Sequence, residues 1–152
     1  MIEKVLGRSS TEGVLGLMHP VVSAWFRTKF GDVTDAQAMA VPVIHAKGNV
    51  LVSSPTGSGK TLTAFMSIIN ELTLLDQRGE LEDRIYAVYI SPLKALANDI
   101  NENLLRPLQE ISSEFERRGA KPPEIRVAVR TGDTLPAERQ RQLRSPPHIF
   151  IT

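Results

Sequence analysis

The sequence predicts an α/β domain in which helices cover both faces of a parallel sheet. Three features predict it. Short runs rich in Val and Ile alternate with longer amphipathic stretches, the pattern of strands joined by helical crossovers. The 152 residues suit one domain of ordinary size. Finally, Val50-Leu51-Val52-Ser53 runs straight into a Gly/Ser-rich turn and then a helical pattern.

Residues 1–18 show no sustained period and are expected as a loose arm ahead of a domain over 19–152. Pro20 suits a first helical position, and Val21, Val22, Ala24, Trp25, Phe26 and Phe30 follow up to Gly31, a natural stop. Thr34 and Gln37 have capping-box spacing, so a second helix starts there and ends at Lys47-Gly48-Asn49. Val50 to Ser53 reads as a buried strand, and Lys60 to about Leu75 as a helix. Further strands are expected over 84–91, 124–129 and 148–152, with helices near 94–105, 107–118 and 135–143. Ile149-Phe150-Ile151-Thr152 reads as a buried strand at the very end, so the chain is expected to be a piece of a longer protein.

Composition narrows the chemistry. Eighteen Lys+Arg against 17 Asp+Glu leave a formal charge of +1, so a surface for nucleic acid must come from charge placement, not excess. The absence of cysteine excludes disulfides, thiolate zinc sites and a cysteine nucleophile. His19, His45 and His148 lie far apart and form no metal-binding pair. The longest apolar run, Ile85 to Ile90, is far short of the about 20 residues of a spanning helix. No apolar leader opens the chain, and a soluble cytoplasmic protein without a membrane partner is expected.

The strongest motif is Ser54-Pro55-Thr56-Gly57-Ser58-Gly59-Lys60-Thr61, which matches G-x-x-x-x-G-K-[ST] except that Ser54 stands where the first glycine would be. Gly57 and Gly59 let the backbone wrap so that successive N–H groups of Thr56 to Thr61 face phosphate oxygens. The helix starting near Lys60 adds its positive end. Lys60 supplies a cation to the β- and γ-phosphates, and the Thr61 hydroxyl suits Mg²⁺. Without function, the same segment is a Gly/Ser turn with a solvated lysine; strand, loop and helix in the right order favour nucleotide binding. Lys60 and Thr61 are the candidate catalytic residues, and Thr61 the candidate metal ligand.

Taken with Ser91-Pro92-Leu93-Lys94-Ala95-Leu96-Ala97-Asn98-Asp99 and Arg130-Thr131-Gly132-Asp133-Thr134, the loop resembles superfamily 2 helicases, and within them the Lhr (large helicase-related) group. The likeness covers about residues 20–152, including Pro146-Pro147-His148-Ile149-Phe150-Ile151-Thr152. It implies a RecA-like domain that binds ATP and Mg²⁺, ending before its Walker B strand. It also implies a second RecA-like domain in the longer protein, and 3′→5′ translocation on single-stranded or partly duplex nucleic acid, with DNA favoured. Gln37 would read the adenine edge, with Phe26 or Phe30 stacking on the base; the capping-box reading of Gln37 stands beside this one. Ser91, Pro92, Leu93 and Lys94 match motif Ia, and Arg130, Thr131 and Gly132 match motif Ib, both nucleic-acid contacts. Read without the resemblance, each is an ordinary strand-to-helix turn. Arg139, Arg141 and Arg144 do not share one helix face and read as solvated surface.

An Asp-Glu pair, which in such motors holds the metal's shell and orients the attacking water, occurs nowhere in the chain. The chain alone is therefore expected to bind ATP without turning it over efficiently. Two other readings remain: a P-loop small-molecule kinase, and a nucleic-acid-binding module with an inactive phosphate loop. Fifty-three residues precede Ser54, which disfavours the first.

Overall fold

The computed structural model describes residues 4–92 and 99–152. In chain order its elements are α1 (Thr11–Leu15), α2 (Pro20–Phe30), α3 (Asp35–His45), α4 (Lys60–Gln77) and β1 (Ala87–Tyr89). A π-helical turn (Asn101–Leu105) then runs into α5 (Arg106–Arg117), followed by β2 (Val127–Val129), α6 (Pro136–Arg144) and β3 (Ile149–Ile151). The strands form one parallel sheet in the order β1-β3-β2, with Val88 and Ala128 both in register with Phe150. Parallel neighbours cannot be joined by tight turns, and α5 and α6 supply the crossovers. No described helix is long and apolar enough to cross a membrane.

The core forms around α4. Leu62, Phe65, Met66, Ile69 and Leu72 recur at spacings of three and four, which puts them on one stripe, and all are buried. Phe65 lies with its ring centroid 4.7 Å from that of Tyr89 at the end of β1. The central strand contributes Ile149 and Ile151, both fully buried. Full burial of each such side chain contributes about 1.5–3 kcal/mol, before the entropy of ordering it.

Helix ends follow the sequence closely. Pro20 occupies the first turn of α2, and Gly31, at φ +74°, stops it. At the end of α3 the Gly48 N–H donates to Val43 O at 2.9 Å and the Lys47 N–H to Ile44 O at 2.9 Å, the paired bonds of a Schellman stop. Here Lys47, not glycine, takes the left-handed conformation, at φ +63°. Gly48 is required for space instead: a Cβ there would lie 2.9 Å from Val43 Cγ1. Lys47 also pairs with Glu71 at 2.6 Å, tying this end to α4.

Two expectations are corrected. The first eighteen residues are not a loose arm throughout: Ser10 Oγ accepts the Gly13 N–H at 3.0 Å and starts α1, whose Val14 and Leu15 enter the core with Met18. Three apolar side chains within five residues supply the burial that holds this segment. Val50 to Ser53 is not a buried strand: Val50 is 36% and Leu51 84% exposed. A strand exists through its ladder, and no described strand runs beside this one. The expected strands over 84–91, 124–129 and 148–152 are present but shorter, and of the expected helix over 94–105 the stretch 93–98 lies outside the described residues.

His148 joins the start of all three strands. Its carbonyl accepts the N–H of Tyr86 at 2.9 Å, its own N–H donates to Arg126 O at 2.9 Å, and its Nδ1 accepts the Arg126 N–H at 3.0 Å. Burial, helped by the Arg126 charge, lowers its pKa below the ordinary 6.5. Burial also lowers His19, which stacks on Phe115. A folded state that resists protonating these rings binds fewer protons than the unfolded chain, so stability is full above 6.5 and declines as pH falls through it. Urea unfolding between pH 7.5 and 5 should show this decline, at up to about 1.4 kcal/mol per pH unit for each histidine. His148→Asn keeps an acceptor near Nδ1 and should flatten the curve; equal slopes in variant and wild type would contradict the assignment.

Candidate nucleotide site and strand-binding edge

Residues 54–60 form a turn closed by its own side chains. Gly57 and Gly59 take φ +80° and +82°, values that a side chain strains to adopt. Ser54 needs no glycine, because Lys47 is the sole described non-glycine residue with positive φ. Ser54 uses its side chain instead, with Oγ 2.5 Å from Ser58 Oγ across the loop. The Ser58 N–H donates to Pro55 O at 3.3 Å. Gly59 O accepts both the N–H and the hydroxyl of Thr63, at 2.8 and 2.7 Å, which locks the loop to the first turn of α4. The Lys60 ammonium folds over the loop and donates to the carbonyls of Ser54 and, at 2.8 Å, Pro55.

A second helix abuts the same loop. Thr34 and Gln37 form the reciprocal capping box of α3: the Gln37 N–H donates to Thr34 Oγ1 at 3.3 Å, and the Thr34 N–H to Gln37 Oε1 at 2.9 Å. The Thr34 hydroxyl donates its own proton to Ser58 O at 2.9 Å. The Gln37 amide lies against Gly59, where a Cβ would sit 3.1 Å from Nε2. Two helix N-termini thus converge on the loop, each equivalent to about half a positive charge.

The residues present fit a bound triphosphate with its metal. The bend at Gly57 opens onto free space, since a Cβ there would meet nothing within 4 Å. Thr56 and Gly57 are exposed at the tip, while Thr61 is half-buried with no protein partner for its hydroxyl among the described residues. Of the two candidate base-stacking rings, Phe26 is fully buried and has no face to offer. Phe30 is 44% exposed and lies four residues before Thr34, so of the two rings it is the one with a face open.

The other candidate residues lie at the C-terminal edge of the sheet, where α/β domains bind ligands. Ser91 follows β1 and donates its N–H to Thr152 O at 3.2 Å; Pro92 is exposed, and Leu93 and Lys94 lie outside the described residues. Arg130 follows β2 and donates its N–H to Ile151 O at 2.7 Å. With β3 between them, the two loops stand two strand spacings apart, about 10 Å. Gly132 is exposed and Thr131 half-buried on a turn in which Thr134 Oγ1 accepts the Thr131 N–H at 2.7 Å. Leu135 is the N-cap of α6. The Arg130 guanidinium is engaged inward: its Nε donates to Gln142 Oε1 at 3.0 Å and its plane lies 5.3 Å from the Phe150 ring.

Sequence reasoning missed Arg139. It is exposed, as expected, but its guanidinium also binds three carbonyls of the 131–134 turn: Thr134 O at 2.9 Å, and Thr131 O and Gly132 O at 3.2 Å each. No local spacing signals this, since the contact forms only when α6 folds back beside the turn. Arg141 pairs with Glu138 at 3.1 Å, as a surface residue does.

Fold and site define a RecA-like phosphate-loop domain. The DEAD/DEAH box helicase family model matches residues 34–152, and the chain belongs to that family. It is 56% identical over its whole length to the ATP-dependent helicase Lhr-Core of Methanothermobacter thermautotrophicus, of which it spans 18%. It is 39% identical over 139 residues, 88% of the chain, to the Lhr helicase/uracil glycosylase of Escherichia coli, of which it spans 9%. Among solved structures, it is similar to Mycobacterium smegmatis helicase Lhr bound to ssDNA and AMP-PNP, with TM-score 0.80 and 42% identity. That match covers 91% of this chain and 17% of the other. The yeast DEAD-box splicing factor Prp28 shares the fold, with TM-score 0.65 and 18% identity over 99% of this chain and 34% of its own.

The Thr34 hydroxyl carries the contact between α3 and the loop. Thr34→Ala should cost about 1–2 kcal/mol in urea unfolding through the lost cap, while Thr34→Ser should lose only a few tenths. Equal loss in both variants would show that the hydroxyl is not what holds the two elements together.

Proposed function

We propose that this chain is the ATP-binding portion of an ATP-dependent nucleic-acid helicase of the Lhr group, acting on single-stranded or partly duplex nucleic acid. The observation that carries the reading is a phosphate loop with two left-handed glycines, seated on two helix N-termini, in a domain whose sheet carries two further loops at one edge. The backbone amides of Thr56 to Thr61 face the phosphates of ATP. Lys60 exchanges the Ser54 and Pro55 carbonyls for phosphate oxygens, a stronger pairing because the acceptor is charged. The Thr61 hydroxyl would hold Mg²⁺, which would supply charge neutralisation at the phosphates. Gln37 keeps its oxygen in the capping box and is only 2% exposed, so its amide nitrogen, beside Gly59, is the one group it could turn to the adenine, with Phe30 as the stacking ring.

Ser91 to Lys94, with Thr131 and Gly132, would hold the backbone of a single strand through amides and hydroxyls, a mode that reads no sequence. Arg130 supports them as a strut from β2 to α6. A preference for DNA, movement 3′→5′ and a second RecA-like domain closing on the nucleotide belong to this reading on the strength of the likeness to the Lhr group, and a cytoplasmic location is proposed with them. The kinase reading has no observation in its favour. A module with an inactive loop would gain support if Mg²⁺ made no difference to nucleotide binding.

Titration with a fluescent ATP analogue should show Mg²⁺-dependent binding that Lys60→Ala weakens at least about tenfold, the effect of losing a charge-assisted contact. Unchanged affinity in the variant would remove the assignment. Because it has no Asp-Glu pair to orient water, the 152-residue chain should hydrolyse ATP no faster than its Lys60→Ala variant. A clear Lys60-dependent rate would mean that another acid takes that part.

A further inference from the structure

We propose that Arg139 is a positioning residue for nucleic-acid binding: its guanidinium presets the 131–134 turn so that the turn's donors face a strand phosphate. The inference deepens the function proposed above and rests on it. One planar group accepts no proton and offers five N–H donors in a fixed fork. Here that fork gathers the carbonyls of Thr131, Gly132 and Thr134 at 3.2, 3.2 and 2.9 Å.

The consequence follows from the trans peptide. In a planar trans unit the C=O and the following N–H point in opposite directions. The chain has no cis bond among its described residues, so each carbonyl drawn onto Arg139 aims the next amide away from it. The amides so aimed are those of Gly132, Asp133 and Leu135. Asp133 donates its N–H to Thr131 Oγ1 at 3.3 Å, which occupies a lone pair of that hydroxyl and leaves its proton for an outside acceptor. Gly132 N–H has no partner among the described residues, and a Cβ on Gly132 would meet nothing within 4 Å. With the Asp133 N–H engaged, the Gly132 N–H and the Thr131 hydroxyl are the neighbouring donors left for an anion, and grouped backbone and hydroxyl donors of this kind suit a phosphate oxygen. Arg139 places its positive charge behind them and holds the three carbonyl dipoles off the phosphate.

Arg139 is itself held from below. The Arg130 guanidinium reaches Arg139 O at 3.5 Å and Gln142 Oε1 at 3.0 Å, and Gln142 Nε2 donates to Val129 O at 3.3 Å. These bonds fix α6 against the end of β2, so the turn is braced from the sheet side and from the helix side. Lysine could keep the charge of Arg139 but not its fork, because an ammonium is a point donor on a flexible stem.

The experiment compares the 152-residue chain with R139K and R139A, using a fluorescently labelled oligothymidylate, with amide exchange on the same proteins. Arg139 is exposed, and neither variant should move the urea midpoint appreciably. Both should bind the oligonucleotide about tenfold more weakly, through lost preorganisation, and both should exchange the amides of 132–135 faster. R139K binding as tightly as wild type would show that charge alone matters and would overturn the proposal. So would weakened binding with unchanged exchange in the turn. If the wild-type chain fails to bind the oligonucleotide, the proposed function falls and takes this role with it; if wild type binds and R139K matches it, only the role of Arg139 falls.

Discussion

The contact between the α3 cap and the phosphate loop is the constraint on which the rest of the site depends. Gly59 must be left-handed to turn the chain into α4, and the Gln37 amide fills the space that a side chain at 59 would need. The Thr34 hydroxyl completes the junction by donating to Ser58 O. Segments 24 residues apart in sequence thus share one set of hydrogen bonds. The loop cannot shift without disturbing the start of α3, and two positive helix ends stay aimed at it. Gln37 therefore serves as cap and as packing at once, and the adenine role proposed for its amide draws on a side chain already fixed in place.

The same economy links the phosphate loop to the sheet edge. α4 carries the loop at its N-terminus and, five residues on, presents Phe65 to Tyr89 at the end of β1. The Tyr89 hydroxyl donates to Asp99 Oδ2 at 3.3 Å, at the head of the π-helical turn that leads into α5. Burial raises the Tyr89 pKa, so this hydroxyl remains a donor at neutral pH. Contacts thus run from the helix that carries the loop, through a ring pair, to Asp99.

The fold and the phosphate loop were legible in the sequence because both rest on local rules. Caps at Thr34, Pro20, Gly31 and Gly48 act within a few residues, and the glycines at 57 and 59 answer to backbone geometry alone. What escaped depends on distant partners. Val50 to Ser53 has strand composition, but composition cannot supply a neighbour. α1 is short and weakly periodic, and holds because Val14 finds the core. Phe26 and Phe30 look alike in sequence and both pack against Trp25, yet only Phe26 also enters the core and is fully buried. Arg139 reads as solvated because its three acceptors belong to another turn. Capping geometry could be read from spacing; side-chain-to-carbonyl contacts between elements could not.

The central claim is that the turn of residues 54–61 encloses a triphosphate under the Lys60 ammonium. A crystal structure of the chain with Mg²⁺ and AMP-PNP tests it most directly. The account predicts phosphate oxygens within hydrogen-bond distance of the loop amides, Lys60 drawn off the Ser54 and Pro55 carbonyls onto the phosphates, and the Thr34–Gln37 box unchanged. Lys60 still seated on those carbonyls at saturating nucleotide, with phosphate bound elsewhere or not at all, would contradict it.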